Sequence, residues 1–298
     1  MKPIATKLTV VYISLIIITL IDTSQSYAKI DIKTAVGIWF YDEGKGDIAK
    51  DASENGYDGK ITGGKWEKGK FQSALSFDKG DTVTAVLGSG TVRNNMTVLM
   101  WINFLDLAGQ QNYFSIWDSS NNRYVPYKPV ENIFRFWSNN WNIPSGFAIS
   151  AKTWYHVTNV YDGSKAYIYV DGELKVSQSA PNFSLADNQQ TAWVATDRGT
   201  GFLSNCIVDE VGLFNVALSG DDIKNIVTKG LARATGITAV EPANKITQTW
   251  GLIKSEGIVK FKMKRVSKTQ KTWGVLGMPF HAFLPPLGTT VPSWLNFI

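Results

Sequence analysis

The sequence predicts an all-β fold, a sandwich or barrel of short strands with one short helix toward its C-terminal side. Three observations carry this. The chain of 298 residues holds eleven Trp and eleven Tyr and is only 18% charged, a composition that pleated surfaces favour. Between Val36 and Phe214, short apolar runs alternate with turn-rich breaks at near-regular spacing. Across the same stretch no segment carries a convincing helical period.

Taken in order, the predicted strands are Gly37 to Tyr41, Ala74 to Phe77, Thr82 to Val86, Thr97 to Phe104, Tyr113 to Trp117 and Ile133 to Trp137. They continue with Gly146 to Ile149, Tyr155 to Tyr161, Ala166 to Val170, Glu173 to Ser177, Ala192 to Ala195 and Asn205 to Phe214. Thr97 to Phe104 is apolar on both faces, which suits a central strand with cover on either side. Lys165 to Ser177 reads as a hairpin, because Asp171-Gly172 supplies the positive φ angles of a type I′ turn. Ser219 to Arg233 is the one good helix, with Ser219 as cap, Asp221 and Asp222 in the first turn, and Lys229 and Arg233 toward the end.

The hydrophobic fraction of 44% is ample for a core of this size. The net charge of +5 is unevenly spread. Residues 29 to 240 carry 20 bases and 22 acids, a slightly acidic body, whereas 241 to 298 hold eight bases and two acids. A nucleic-acid partner would need a basic face on the body, and the composition offers none. Residues 1 to 28 read as a signal peptide: Lys2 and Lys7, an apolar run from Leu8 to Ile21, then Ser26-Tyr27-Ala28 as a cleavage site. The expected location is therefore secreted, periplasmic or at the cell surface, with no membrane span left after cleavage. Cys206 is the only cysteine, so no internal disulfide can form, and its apolar surroundings suit a buried thiol. Residues 29 to 235 form the expected domain, and 236 to 298 a poorly structured tail, disordered or loosely docked.

Four blocks, in order, resemble the laminin-G-like jelly rolls of the concanavalin A-like lectin/glucanase superfamily, in particular its secreted bacterial branch. They are Gly37 to Gly46 with Lys50 to Gly59, then Gly69 to Asp78, then Trp154 to Gly163 with Tyr169 to Gly172, and finally Val208 to Ser219. The resemblance implies a two-sheet antiparallel jelly-roll sandwich with its first and last strands adjacent. It does not imply one activity, because the fold hosts lectins, adhesion modules and glycosidases alike.

Three kinds of chemistry are legible. Asp51, Ser53, Asn55 and Asp58 form an oxygen-rich loop pinned by Gly56 and Gly59, and calcium seeks such oxygens. The resemblance supplies Asp209 from the closing strand, making Asp51, Asn55 and Asp209 the expected ligands of a structural Ca2+. The same loop residues could equally form side-chain-supported turns. Trp137, Asn139, Asn140 and Trp141 cluster in a polar-aromatic segment, with Trp117 and Arg135 nearby, so Trp137, Asn139 and Trp141 are the expected glycan-binding residues. The alternative is that these aromatics fill the core. Glycoside hydrolysis needs paired carboxyls on one face, and Asp209-Glu210, being adjacent, point to opposite faces of a regular strand. The sequence thus predicts a non-enzymatic carbohydrate-binding or adhesion-like module that meets a glycan or extracellular polymer. The rival readings are a protein–protein or matrix module and, behind it, a glycoside hydrolase.

Overall fold

The computed structural model describes residues 30–237, and farther on two short strands, Trp273–Val275 and Met278–Phe280. The chain divides into two compact units, Met1–Val240 and Glu241–Ile298, and in the second the two short strands pair with each other. The expected signal peptide and most of the expected tail lie outside the described residues.

The described residues of the first unit run through seventeen strands. They are β1 (Ala35–Trp39), β2 (Ile48–Ala49), β3 (Gly59–Thr62), β4 (Lys65–Lys68), β5 (Ser73–Phe77), β6 (Thr82–Ser89), β7 (Met96–Phe104), β8 (Gln111–Asn112) and β9 (Phe114–Asp118). There follow β10 (Arg123–Lys128), β11 (Ile133–Ser138), β12 (Trp141–Ala148), β13 (Trp154–Tyr161), β14 (Lys165–Val170), β15 (Glu173–Ser179), β16 (Gln189–Val194) and β17 (Cys206–Phe214). They form two antiparallel sheets. The eight-stranded sheet is ordered β15-β14-β13-β7-β17-β5-β4, with β1 also on β17. The nine-stranded sheet is ordered β12-β11-β10-β9-β16-β6-β3-β2, with β8 also on β10. The first and last strands are neighbours, Trp39 lying opposite Val211.

Alternation decides which side chains meet between the sheets. Val98, Met100, Ile102 and Phe104 of β7 join Phe114, Ile116, Tyr124, Phe134 and Phe136 of the other sheet in one buried cluster. Leu99 points the opposite way, into a second cluster with Val160, Phe214 and Ile38. That cluster is capped by Ile223 and Ile226 of α1 (Gly220–Lys229) and by Leu231 of α2 (Leu231–Thr235). The double-sided apolarity of β7 thus has two causes, the second sheet on one face and a helical layer on the other.

The hairpin turn is as expected, with Asp171 at φ 52° and Gly172 at φ 81°. Ser219 caps α1 in a reciprocal box with Asp222. The single helix expected from Ser219 to Arg233 is broken at Gly230, whose φ of 84° no helix accommodates. Five strands were not foreseen, β2, β3, β4, β8 and β10, and of these β10 contains Pro126, a poor ladder residue. Its place explains the tolerance. On the β9/β8 side, β10 pairs through Arg123 and Tyr124 and again through Tyr127 and Lys128, so Pro126 falls where the neighbouring strand changes. Replacing Ser219 by Ala should cost about 1 kcal/mol through loss of the cap. Urea unfolding reads this, and an unchanged midpoint would show the cap to be idle.

Candidate functional site

The two sheets differ in what covers their outer faces. The eight-stranded sheet carries the helical layer, whereas among the described residues no helix lies over the nine-stranded sheet. On that open face, alternation presents Trp137 from β11, Arg123 from β10, Trp117 from β9 and Trp193 from β16, each half-buried. The ladder sets Arg123 opposite Trp117, and Trp117 opposite Thr191. The Arg123 guanidinium lies 4.0 Å from the Trp117 ring centre and 4.6 Å from that of Trp137. Arg198, from the loop after β16, lies 4.9 Å from Trp117. Asp197 accepts from the Trp117 indole nitrogen at 2.8 Å, and burial raises its carboxyl above the usual range.

Of the expected glycan-binding residues, the structure brings two to this face. Trp137 is half-buried there. Asn139 sits in the following turn, where its Oδ1 accepts from the Arg123 backbone N–H at 3.0 Å. Trp141 goes elsewhere. It pairs across the ladder with Ser138, which faces inward, so its ring enters the core against Tyr124, Phe136 and Tyr161. Trp137 pairs instead with exposed Asn142. A two-residue turn at Asn139-Asn140 lay in the sequence, but without the register it could not assign faces. Arg123 and Arg198 were missed; Arg123 could have been found by reading Arg123 to Lys128 as an alternating strand despite Pro126.

The expected ion-site residues divide differently. Both Asp51 oxygens are engaged: Oδ1 accepts from the Ile38 and Ser53 N–H groups at 3.0 and 2.9 Å, and Oδ2 from Ser53 Oγ and the Tyr57 N–H at 2.9 Å each. Asn55 donates to the carbonyls of Ala35 and Val36 at 2.9 and 3.1 Å. These contacts clamp the loop onto β1, as a side-chain-supported turn does. Asp209 is fully buried and accepts from the Phe71 N–H at 2.9 Å, while its Oδ1 has no partner. Among the described residues, no three His, Cys, Asp or Glu side chains gather as a metal ion needs. Asp51, Asn55 and Asp209 do not fit a shared calcium through their side chains, and no role is derived for one.

The adjacent carboxyls also depart from strict alternation. Glu210 has φ 48°, and the ladder to β7 shifts between Asp209 and Gly212. Through this bulge both carboxyls reach the layer over the eight-stranded sheet, Asp209 at Phe71 and Glu210 at the Leu231 N–H, 3.1 Å away. Burial, reinforced by their neighbours' negative charge, pushes Asp209 up to about 8 and Glu210 up to about 7. Across the ladder from Asp209 lies Trp101, and beyond it His156, whose buried imidazole is pushed down to about 3 and stays neutral.

Two packed antiparallel sheets with one aromatic, helix-free face define a lectin-type β-sandwich. The family model described as "Concanavalin A-like lectin/glucanases superfamily" matches residues 77–224, and that stretch of the sandwich belongs to the superfamily. Comparison with curated proteins gives no match. Among solved structures, the sandwich is similar to domain 4 of AbnA, an extracellular arabinanase from Geobacillus stearothermophilus solved with arabinotriose. There the identity is 17% and the TM-score 0.54, over 65% of this chain and 98% of that one. It is also similar to Trypanosoma rangeli sialidase, at 14% identity and TM-score 0.52, over 70% of this chain but only 34% of the enzyme. A third similar structure is the binding domain of Paraclostridial Mosquitocidal Protein 1, at 12% identity and TM-score 0.52, over 66% of this chain and 52% of that one. At these identities the likeness is one of fold.

Asp51→Ala should lose on the order of 3 kcal/mol of stability, equally in calcium and in chelator, since backbone N–H groups use the carboxylate. A loss seen only with calcium would restore the ion. A second expectation concerns pH. Asp209 and Glu210 take up protons on folding, so their contribution is present at low pH and lost as pH rises through their raised values. His156 works in the opposite sense, but only below its ordinary value of about 6.5. In chelator, stability should therefore fall by about 1–3 kcal/mol between about pH 6.5 and 8.5. Asp209→Asn should flatten that slope in thermal melts, and an unchanged slope would assign the titration elsewhere.

Proposed function

We propose that this is an exported, non-catalytic carbohydrate-binding module that takes its ligand on the outer face of the nine-stranded sheet. The observation that carries the reading is that face itself. Trp117, Trp137 and Trp193 stand half-buried among arginine, asparagine and threonine side chains, on strands rigidly held from below. Fixed aromatic surface with convergent polar groups is what sugar recognition requires. The arabinotriose seen with the arabinanase domain supports the same ligand class here.

Binding without catalysis is supported by the state of Asp209 and Glu210. Each is buried, and each is hydrogen-bonded to a backbone N–H beneath the loop at Phe71 or the turn at Gly230. A hydrolytic pair must instead meet the glycosidic oxygen and the anomeric carbon directly. Export rests on the signal-like segment at residues 1–28. Among the described residues, no helix is long and apolar enough to cross a membrane.

The test is retention on immobilised polysaccharides, scored for the wild type and for Trp137→Ala and Trp193→Ala. Each variant should weaken binding by about tenfold or more, as loss of a central aromatic contact does, with the fold retained by circular dichroism. Full retention in both variants would remove this face as the site.

A further inference from the structure

We infer that the ligand bound on this face carries negative charge: the Trp117–Arg123–Trp137 stack, with Arg198, is a site for the carboxylate or sulfate groups of an acidic polysaccharide. The inference rests on the carbohydrate-binding reading and narrows it to a class. A neutral sugar ring binds by laying its C–H face on a bare indole. Here two of the three indoles are already in use, because the guanidinium of Arg123 lies over both Trp117 and Trp137, and that of Arg198 over Trp117. What the stack leaves for a ligand is less ring surface and more N–H donors.

Arg123 is the centre of the argument. It is held between two aromatic rings by cation–π attraction, which fixes an otherwise flexible side chain. Its Nε is buried without a partner, and its guanidinium makes no hydrogen bond or ion pair with any described residue. Asp197 feels the positive charge of both Arg123 and Arg198, but its Oδ1 accepts from the Trp117 indole. A planar fork of donors, ordered in advance and without a hydrogen-bond partner among the described residues, fits an oxyanion more closely than it fits a hydroxyl.

The surroundings agree. Arg198 spends one N–H on Asn121 Oδ1 at 3.0 Å and keeps the rest of its guanidinium at an exposed position. Arg135, on the same face as Trp137, has only a loose 3.7 Å approach from Glu131, and its own Nε is also buried without a partner. Two arginines around Trp117 face one acid, Asp197, so the stack holds an excess of positive charge. The body that carries it, residues 29 to 240, is slightly acidic. The patch therefore cannot be put down to a general basicity of the domain.

The experiment is calorimetric titration of the full chain with polygalacturonate and alginate as carboxylate polymers and dextran sulfate as a sulfate polymer. Arabinan and a mixed-linkage β-glucan serve as neutral polymers. The expected result is binding to at least one acidic polymer, weakened severalfold as salt rises from about 0.05 to 0.5 M. Arg123→Gln should lower that affinity about tenfold or more, as loss of a charge-assisted contact does. Arg198→Gln, at an exposed position outside the packed strands, should lower it with an unchanged melting temperature, which guards against misfolding as the cause. Binding to carboxylate but not sulfate would assign a bidentate planar contact, and binding to both an oxyanion site in general. Neutral polymers bound as tightly as acidic ones, with Arg198→Gln silent, would overturn the charge assignment and leave the carbohydrate reading standing. No polymer bound at all would overturn both. Equal binding to heteropolymeric DNA or to anionic lipid vesicles would also overturn the inference, reducing the patch to unselective attraction.

Discussion

The strand Cys206–Phe214 is the interaction on which the rest of the sandwich depends. One edge is zipped to Met96–Phe104 for most of its length. The other edge is shared, first by Ser73–Phe77 and then by Ala35–Trp39. The bulge at Glu210 makes the sharing possible, because the added residue turns the strand and lets a second partner begin where the first ends. Holding a glutamate at positive φ costs on the order of 1 kcal/mol, which the ladders on both sides offset. The same turn carries two carboxyls into the covering layer, so the local geometry and the unusual proton affinities have one origin.

The two outer faces show a division of labour. The face over the eight-stranded sheet is closed by helices and by the loop at Phe71, and its polar groups lie sealed within. Among the described residues no helix covers the face of the nine-stranded sheet, and its side chains order one another: Asn139 holds the start of β10, Asp197 holds Trp117, and the two indoles hold Arg123. Side chains fixed by neighbours rather than by burial can be exposed and still rigid, which is what a recognition surface needs.

Much of the fold was legible because alternation and turn chemistry are local. The Asp171-Gly172 hairpin, the cap at Ser219 and the double-sided strand Thr97 to Phe104 could each be read from a few consecutive residues. What stayed hidden depends on register. Trp137 and Trp141 are four apart and look alike in sequence, yet the turn between them sends one outward and the other into the core. Asp51 looked like an ion ligand because its oxygens suit one; only the fold supplies the four donors that use them. The strand at Pro126 was passed over because proline argues against a central ladder, and the change of neighbour that admits it lies in two other segments. Arg123 was hidden with it.

The adjacency of Ala35–Trp39 and Cys206–Phe214 has a consequence in time. More than a hundred and seventy residues separate partners such as Ala35 and Phe214, so the earliest-made strand must wait unpaired until almost the whole domain has been synthesised. Loop closure of that span is slow relative to forming a local hairpin. The sheet can therefore be completed only once Phe214 has been made, and until then it remains an unfinished thread, the form in which a polypeptide can still pass through a narrow channel.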